Sequence, residues 1–122
     1  MVRSWFGRYG AINFAPAIAV LLVGGSLLSW HSLAATSSPR EVSINNFTFG
    51  SGTPLTVPRG TKVTWTNKDD DPHTVTSDSD PKLFKSSALD TDESFSFTFN
   101  EAGTFKYFCS IHPRMQGTVI VQ

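Results

Sequence analysis

The sequence predicts an all-β protein, a small Greek-key β-sandwich preceded by an N-terminal export segment. Three observations carry that expectation. From Glu41 onward apolar residues recur with a period of two, turn signals punctuate them at short intervals, and no long helical pattern or internal repeat interrupts them. Seven or so short strands at such spacing suit a Greek-key sandwich.

Taken in order, Val42 and Ile44 open the series, and the phase changes to Phe47 and Phe49 across Asn45-Asn46, as a β-bulge would allow. Residues 55–57 form a short β-rich run. Val63 and Trp65 then alternate with Lys62, Thr64 and Thr66 to give a half-buried strand. Residues 77–91 are ambiguous, either an edge strand or a helical turn around Leu83 and Phe84. Phe95, Phe97 and Phe99 alternate with Ser94, Ser96 and Thr98, which sets three rings on one face of a strand. Phe105, Tyr107 and Cys109 alternate with Lys106 and Phe108, so Cys109 shares the inward phase, and residues 118–121 close the series. Gly50-Ser51-Gly52, Pro58-Arg59-Gly60, residues 67–72 and residues 100–103 supply the turns. Phe47, Phe49 and the other strand aromatics are assigned to the core, because alternating rings are what packing requires.

The first third of the chain reads as an address. Arg3 and Arg8 precede an apolar stretch over residues 15–28, and Ser32-Leu33-Ala34 places small residues before a cut after Ala34. Residues 1–34 are therefore a signal peptide, or an uncleaved membrane anchor if the cut is not made, since the charge-free span is long enough to cross a bilayer. Residues 35–40 are a short linker, and residues 41–122 the domain. No cysteine lies near the cut and Arg3 and Arg8 are not adjacent, so neither a lipoprotein signal nor a twin-arginine pattern is present. The domain is expected to face a periplasm or another extracytoplasmic space, touching a membrane only if the anchor stays.

Charge narrows the function classes. The 122 residues carry 10 Lys+Arg against 10 Asp+Glu, which rules out a strongly basic nucleic-acid binder. Loss of residues 1–34 removes Arg3 and Arg8 but no acid and leaves a formal charge of −2. With a single cysteine there can be no intrachain disulfide, no CxxC redox pair and no tetrathiolate metal site.

Chemistry concentrates in Cys109-Ser110-Ile111-His112-Pro113-Arg114-Met115, which sets a thiol, an imidazole and a thioether on one loop after a strand. His73 supplies a second imidazole 36 residues upstream of Cys109, following Pro72. Two His, one Cys and one Met are the donor set of a blue-copper site, a trigonal His2Cys plane with a weak axial thioether. Thiolate and thioether stabilise Cu(I), imidazole accommodates Cu(II), and no position is left open for substrate, so single-electron transfer rather than catalysis is expected. Each residue alone has an ordinary reading as core or surface. Together, His73, Cys109, His112 and Met115 point to one Cu(I)/Cu(II) ion.

Val63, Trp65, Asn67, Pro72 and His73, followed by Gly103, Phe105, Tyr107, Cys109, His112, Pro113, Met115 and Gly117, resemble the cupredoxins over residues 41–121. The two-residue gap between His112 and Met115 is similar to the short loop of the amicyanins; plastocyanin-type loops are longer. The resemblance implies a Greek-key sandwich, a type 1 copper held by the four residues above, and shuttling of single electrons between larger redox proteins. A monomer is expected, its donor and acceptor left open between such classes as a cytochrome or a dehydrogenase. Cupredoxins usually carry Asn after the first His, whereas this chain has Thr74, so the bond tying the two ligand loops must come from the Thr74 hydroxyl with Ser110 or be absent. Arg114 stands where amicyanins have an aromatic residue and, beside Pro113 and the implied electron port His112, would steer partner choice. Asp69, Asp70 and Asp71 read either as a solvated loop tip or as a docking patch for a basic partner.

Other classes fit less well. An enzyme using Cys109 as nucleophile and His112 as base lacks a third orienting residue and an oxyanion element. A copper-storage or delivery protein could use the same donors, although carriers favour exposed Met or His clusters, and Cys and His would also accept zinc.

Overall fold

A computed structural model describes residues 37–122; the predicted signal or anchor lies outside the described residues. Among the described residues there is no helix, and eight strands form two four-stranded sheets. In chain order the strands are β1 (Arg40–Asn45), β2 (Thr48–Phe49), β3 (Leu55–Val57), β4 (Thr61–Asn67), β5 (Thr76–Ser77), β6 (Ser94–Phe99), β7 (Gly103–Phe108) and β8 (Gln116–Val121). One sheet runs β2-β1-β4-β6 and the other β3-β8-β7-β5. Both are mixed, because β1 pairs parallel with β4 and β3 parallel with β8 while the remaining pairs are antiparallel.

Strand alternation builds the core between the sheets. In β4, Thr61, Val63, Trp65 and Asn67 are buried while the residues between them face outward. Trp65 is fully buried and meets Phe84, Phe95, Phe99 and Tyr107, so one indole joins the two sheets. Outward from β4 and β6, Thr64 bonds Ser96 and Thr66 bonds Ser94, each at 2.8 Å, a hydroxyl ladder on the solvent face. Phe95 and Phe97 are only half-buried because β6 is an edge strand.

Two expectations need correction, the bulge at Asn45-Asn46 and the place of Phe47 in the core. Asn45-Asn46 is not a bulge: Asn45 pairs with Thr48 and Ile44 with Phe49, leaving Asn46 and Phe47 as the loop of a tight hairpin. Both loop residues have positive φ, 51° and 56°, the geometry of a type I′ turn whose twist matches the flanking strands. A phenylalanine there costs about 1 to 2 kcal/mol of backbone energy. Its ring is 45% exposed rather than in the core.

Residues 77–91, read as an edge strand or helical turn, hold only the end of β5 and two isolated bridges, Lys85 to Thr76 and Leu89 to His73. Ser side chains do the fastening. Ser86 Oγ accepts from Val75 N at 2.8 Å, and Ser77 Oγ accepts from Leu83 N at 2.7 Å.

Candidate metal centre

Two connections meet at one end of the sandwich. The first leads from β4 to His73 and is organised by Asn67, the last residue of the strand. Its fully buried side chain donates to the carbonyls of Asp71 (2.8 Å) and Leu89 (2.9 Å) and accepts from Asp69 N (2.9 Å), so every polar atom of the amide is used. His73 is then held by a pair of backbone bonds to Leu89, N to O at 3.1 Å and O from N at 2.7 Å.

The second connection joins β7 to β8 and continues their ladder. Cys109 N donates to Met115 O at 3.0 Å and Met115 N to His112 O at 2.8 Å, which closes the seven-residue loop at its base. Gly117 lies just beyond, and only glycine fits there, since an added Cβ would collide with the Tyr107 ring.

Three donor atoms converge between these connections. Cys109 Sγ lies 3.8 Å from His73 Nδ1 and 3.8 Å from His112 Nδ1, and the two nitrogens are 3.2 Å apart. The point equidistant from the corners of that triangle is about 2.1 Å from each, close to the metal–nitrogen and metal–sulfur bond lengths that such donors form. His73 and Cys109 are fully buried, Met115 is buried on the same loop, and His112 is half-buried.

Tautomers fit the same purpose. Asp69 Oδ2 lies 2.9 Å from His73 Nε2, and an ionised carboxylate only accepts, so Nε2 carries a hydrogen, and in the neutral ring the free lone pair is then on Nδ1, which faces the thiol. Burial pushes the Asp69 carboxyl up, but donation from the Phe47 and Asn46 amides and from the His73 ring outweighs it and holds the group below its ordinary value. Cys109 Sγ accepts from Thr74 N at 3.3 Å. The His73 imidazole from one connection, with the thiol, imidazole and thioether of Cys109, His112 and Met115 from the other, fit one copper ion.

A sequence profile of the cupredoxin-like domain matches residues 17–121. The chain belongs to the cupredoxin-like family. Amicyanin-alpha of Methylorubrum extorquens is 34% identical over 119 residues, which cover 92% of this chain and 98% of that one. The plastocyanin of Scenedesmus fuscus is 37% identical over 79 residues, 56% of this chain and 81% of that one. Among solved structures, the Cu(I) form of an amicyanin methionine-to-alanine variant matches at a TM-score of 0.64 with 32% identity, covering 69% of this chain and 82% of that one. This cupredoxin is therefore amicyanin-like in sequence and in fold.

Thr74 does bridge the two connections of this cupredoxin. Its Oγ1 accepts from Ser110 N at 2.7 Å and shares a hydrogen with Ser110 Oγ at 2.8 Å. Arg114 and Pro113 are exposed and, with Phe47, Ile111, His112 and Met115, line a shallow apolar depression. The acidic triplet divides. Asp70 and Asp71 are exposed, but Asp69 is not a free loop-tip charge, because its side chain is 11% exposed and accepts three hydrogen bonds.

Three residues that shape the site were assigned no such part from sequence: Asn67, Asp69 as an internal acceptor, and Phe47. Phe47 stands nearly perpendicular to both imidazoles, its centroid 5.3 Å from that of His73 and 5.0 Å from that of His112. The available signal was Asn45-Asn46, since Asn tolerates positive φ and marks hairpin turns.

Proposed function

We propose that this cupredoxin, a blue copper electron-transfer protein, is exported through residues 1–34 and carries single electrons between redox proteins outside the cytoplasm, and that His73 Nδ1, Cys109 Sγ, His112 Nδ1 and the Met115 thioether would hold its copper. The convergence of the first three of those atoms within 4.8 Å is the observation that carries the reading. Bound copper would supply a one-electron Cu(II)/Cu(I) couple.

The chain's own residues account for the rest. Buried His73 and Cys109 keep water out, and Asp69 fixes the His73 tautomer. The Thr74 amide donates to the Cys109 sulfur, and the Thr74 hydroxyl locks the loop of residues 109–115 to the His73 connection, so the donors keep their places as charge changes. Only His112 among the three presents an edge to the surface, and the apolar depression around it, with Arg114 on its rim, is suited to a short-lived encounter with a partner carrying an acidic rim. Asp70 and Asp71 add exposed charge of opposite sign on the connection that carries His73.

A storage or delivery role fits this burial poorly, because handing over a metal ion requires donors that incoming ligands can reach. The test is the visible and electron paramagnetic resonance spectrum of the purified chain with one equivalent of Cu(II). An intense blue thiolate band with narrow copper hyperfine splitting, lost in Cys109→Ser and shifted in Met115→Leu, is expected. A pale spectrum of ordinary tetragonal copper would overturn the ligand assignment.

A further inference from the structure

The turn between β1 and β2 holds a large apolar ring in a backbone region that side chains avoid, and that ring is 45% exposed. Neither the turn nor its strain serves the core, since Ile44 and Phe49 already pair inward below it. Strain of this kind persists only where surrounding contacts enforce it. Here one side chain does so. Asp69 Oδ1 accepts from Asn46 N at 2.6 Å, and Asp69 Oδ2 accepts from Phe47 N at 2.9 Å. The same Oδ2 takes the His73 Nε2 hydrogen at 2.9 Å. Asp69 is itself fixed through its own amide by the buried Asn67. A single carboxylate thus holds a strained turn and an imidazole at once, and the ring at the turn stands across that imidazole and across His112 as well.

We propose that Asp69 and Phe47 form a clamp in which Asp69 is a positioning residue for both imidazoles, acting on His73 directly and on His112 through the Phe47 ring. His112 receives no hydrogen bond from Asp69, so residue 69 reaches it either through the Phe47 turn or through His73, whose Nδ1 lies 3.2 Å from His112 Nδ1, and the Phe47→Leu background separates the two routes. The clamp explains why the surface-reaching imidazole stays in place although it is the one donor with an exposed edge: to swing outward it must displace a ring whose backbone is tied 22 residues away. It also places an aromatic face beside the port, so that a partner meeting His112 meets Phe47 too.

This inference rests on the ligand reading above only for its use in electron transfer; the clamp itself is tested without metal. The experiment is nuclear magnetic resonance of the metal-free full chain, comparing wild type with Asp69→Asn, Phe47→Leu, Phe47→Tyr and the Asp69→Asn/Phe47→Leu pair. In Asp69→Asn the amides of Asn46 and Phe47 should exchange with solvent roughly tenfold faster or more, and the His112 ring resonances should shift. In the Phe47→Leu background the further change Asp69→Asn should leave His112 unmoved, whereas Phe47→Tyr should retain the wild-type positions. An unchanged His112 in Asp69→Asn, or an equal shift with and without the ring, overturns the clamp. If Asp69→Asn does not fold, Phe47→Leu decides alone: it must shift His112 while Asn46 stays protected, and an unmoved His112 overturns the proposal. Loss of the blue band from wild type would instead sink the ligand reading and leave the clamp standing.

Discussion

Thr74 carries one hydroxyl at the junction of two loops. Because Ser110 N–H and Ser110 Oγ both depend on it, Thr74→Val should cost about 1 to 2 kcal/mol in the urea unfolding of the metal-free protein, and Thr74→Ser should restore most of it. Tyr107 gives a second residue-level prediction. Burial raises its phenol above the ordinary value of 10.0, with the Trp65 indole pulling the other way from a position that misses hydrogen-bond geometry. A raised folded value means that the neutral form is favoured in the native state. Its contribution is whole below pH 10.0 and is lost as pH rises above it. Thermal melts should thus fall more steeply above that pH in wild type than in Tyr107→Phe. At this scale the sequence was most legible where chemistry is rare: Cys109, His112 and Met115 share a loop, and His73 follows a recognisable Pro72. Asp69 was illegible because its three donors come from Asn46, Phe47 and His73, two of them more than 20 positions away, and nothing in a run of three aspartates says which one turns inward.

Among the elements, the connection after β4 depends on one amide. Asn67→Ala removes three hydrogen bonds from a fully buried position and leaves the Asp71 carbonyl and the Asp69 amide to find new partners, so it should destabilise the protein by about 3 kcal/mol in urea titration. Asp69 and His73 would loosen with it. The strands with clean period-two patterns, β4, β6 and β7, were readable because burial on one face leaves a direct trace in residue choice. The β1–β2 turn was misread because a bulge and a two-residue hairpin both reset the alternation, and only pairing partners distinguish them. Residues 78–91 were unreadable for a different reason. They are tied by Ser77 and Ser86 side chains and by single bridges, and such fastening has no period.

For the described domain as a whole, the core lies between the sheets around Trp65 and the site is gathered by bonds among its own residues, so metal is not needed to build either. Removing copper should leave the far-ultraviolet β spectrum and a cooperative melt in place while lowering the melting temperature. Restoring copper should contribute roughly 2.7 kcal/mol once the free ion reaches about a hundred times its Kd. Calorimetry on metal-free and loaded protein checks both.

Sheet order carries one more consequence, for a chain that emerges from its N-terminal side. β1 can pair with β4 as soon as residue 67 has appeared, but β8 lies between β3 and β7, so β3 stays unjoined to the second sheet until residues 116–121 arrive. The same strand brings Met115 O to Cys109 N and thereby shuts the loop. A nascent chain halted at residue 110 therefore has every strand of the first sheet and a thiol whose loop is still open. Maturation of the centre is timed by the last strand, and truncation within it should yield a colourless protein however much copper is offered.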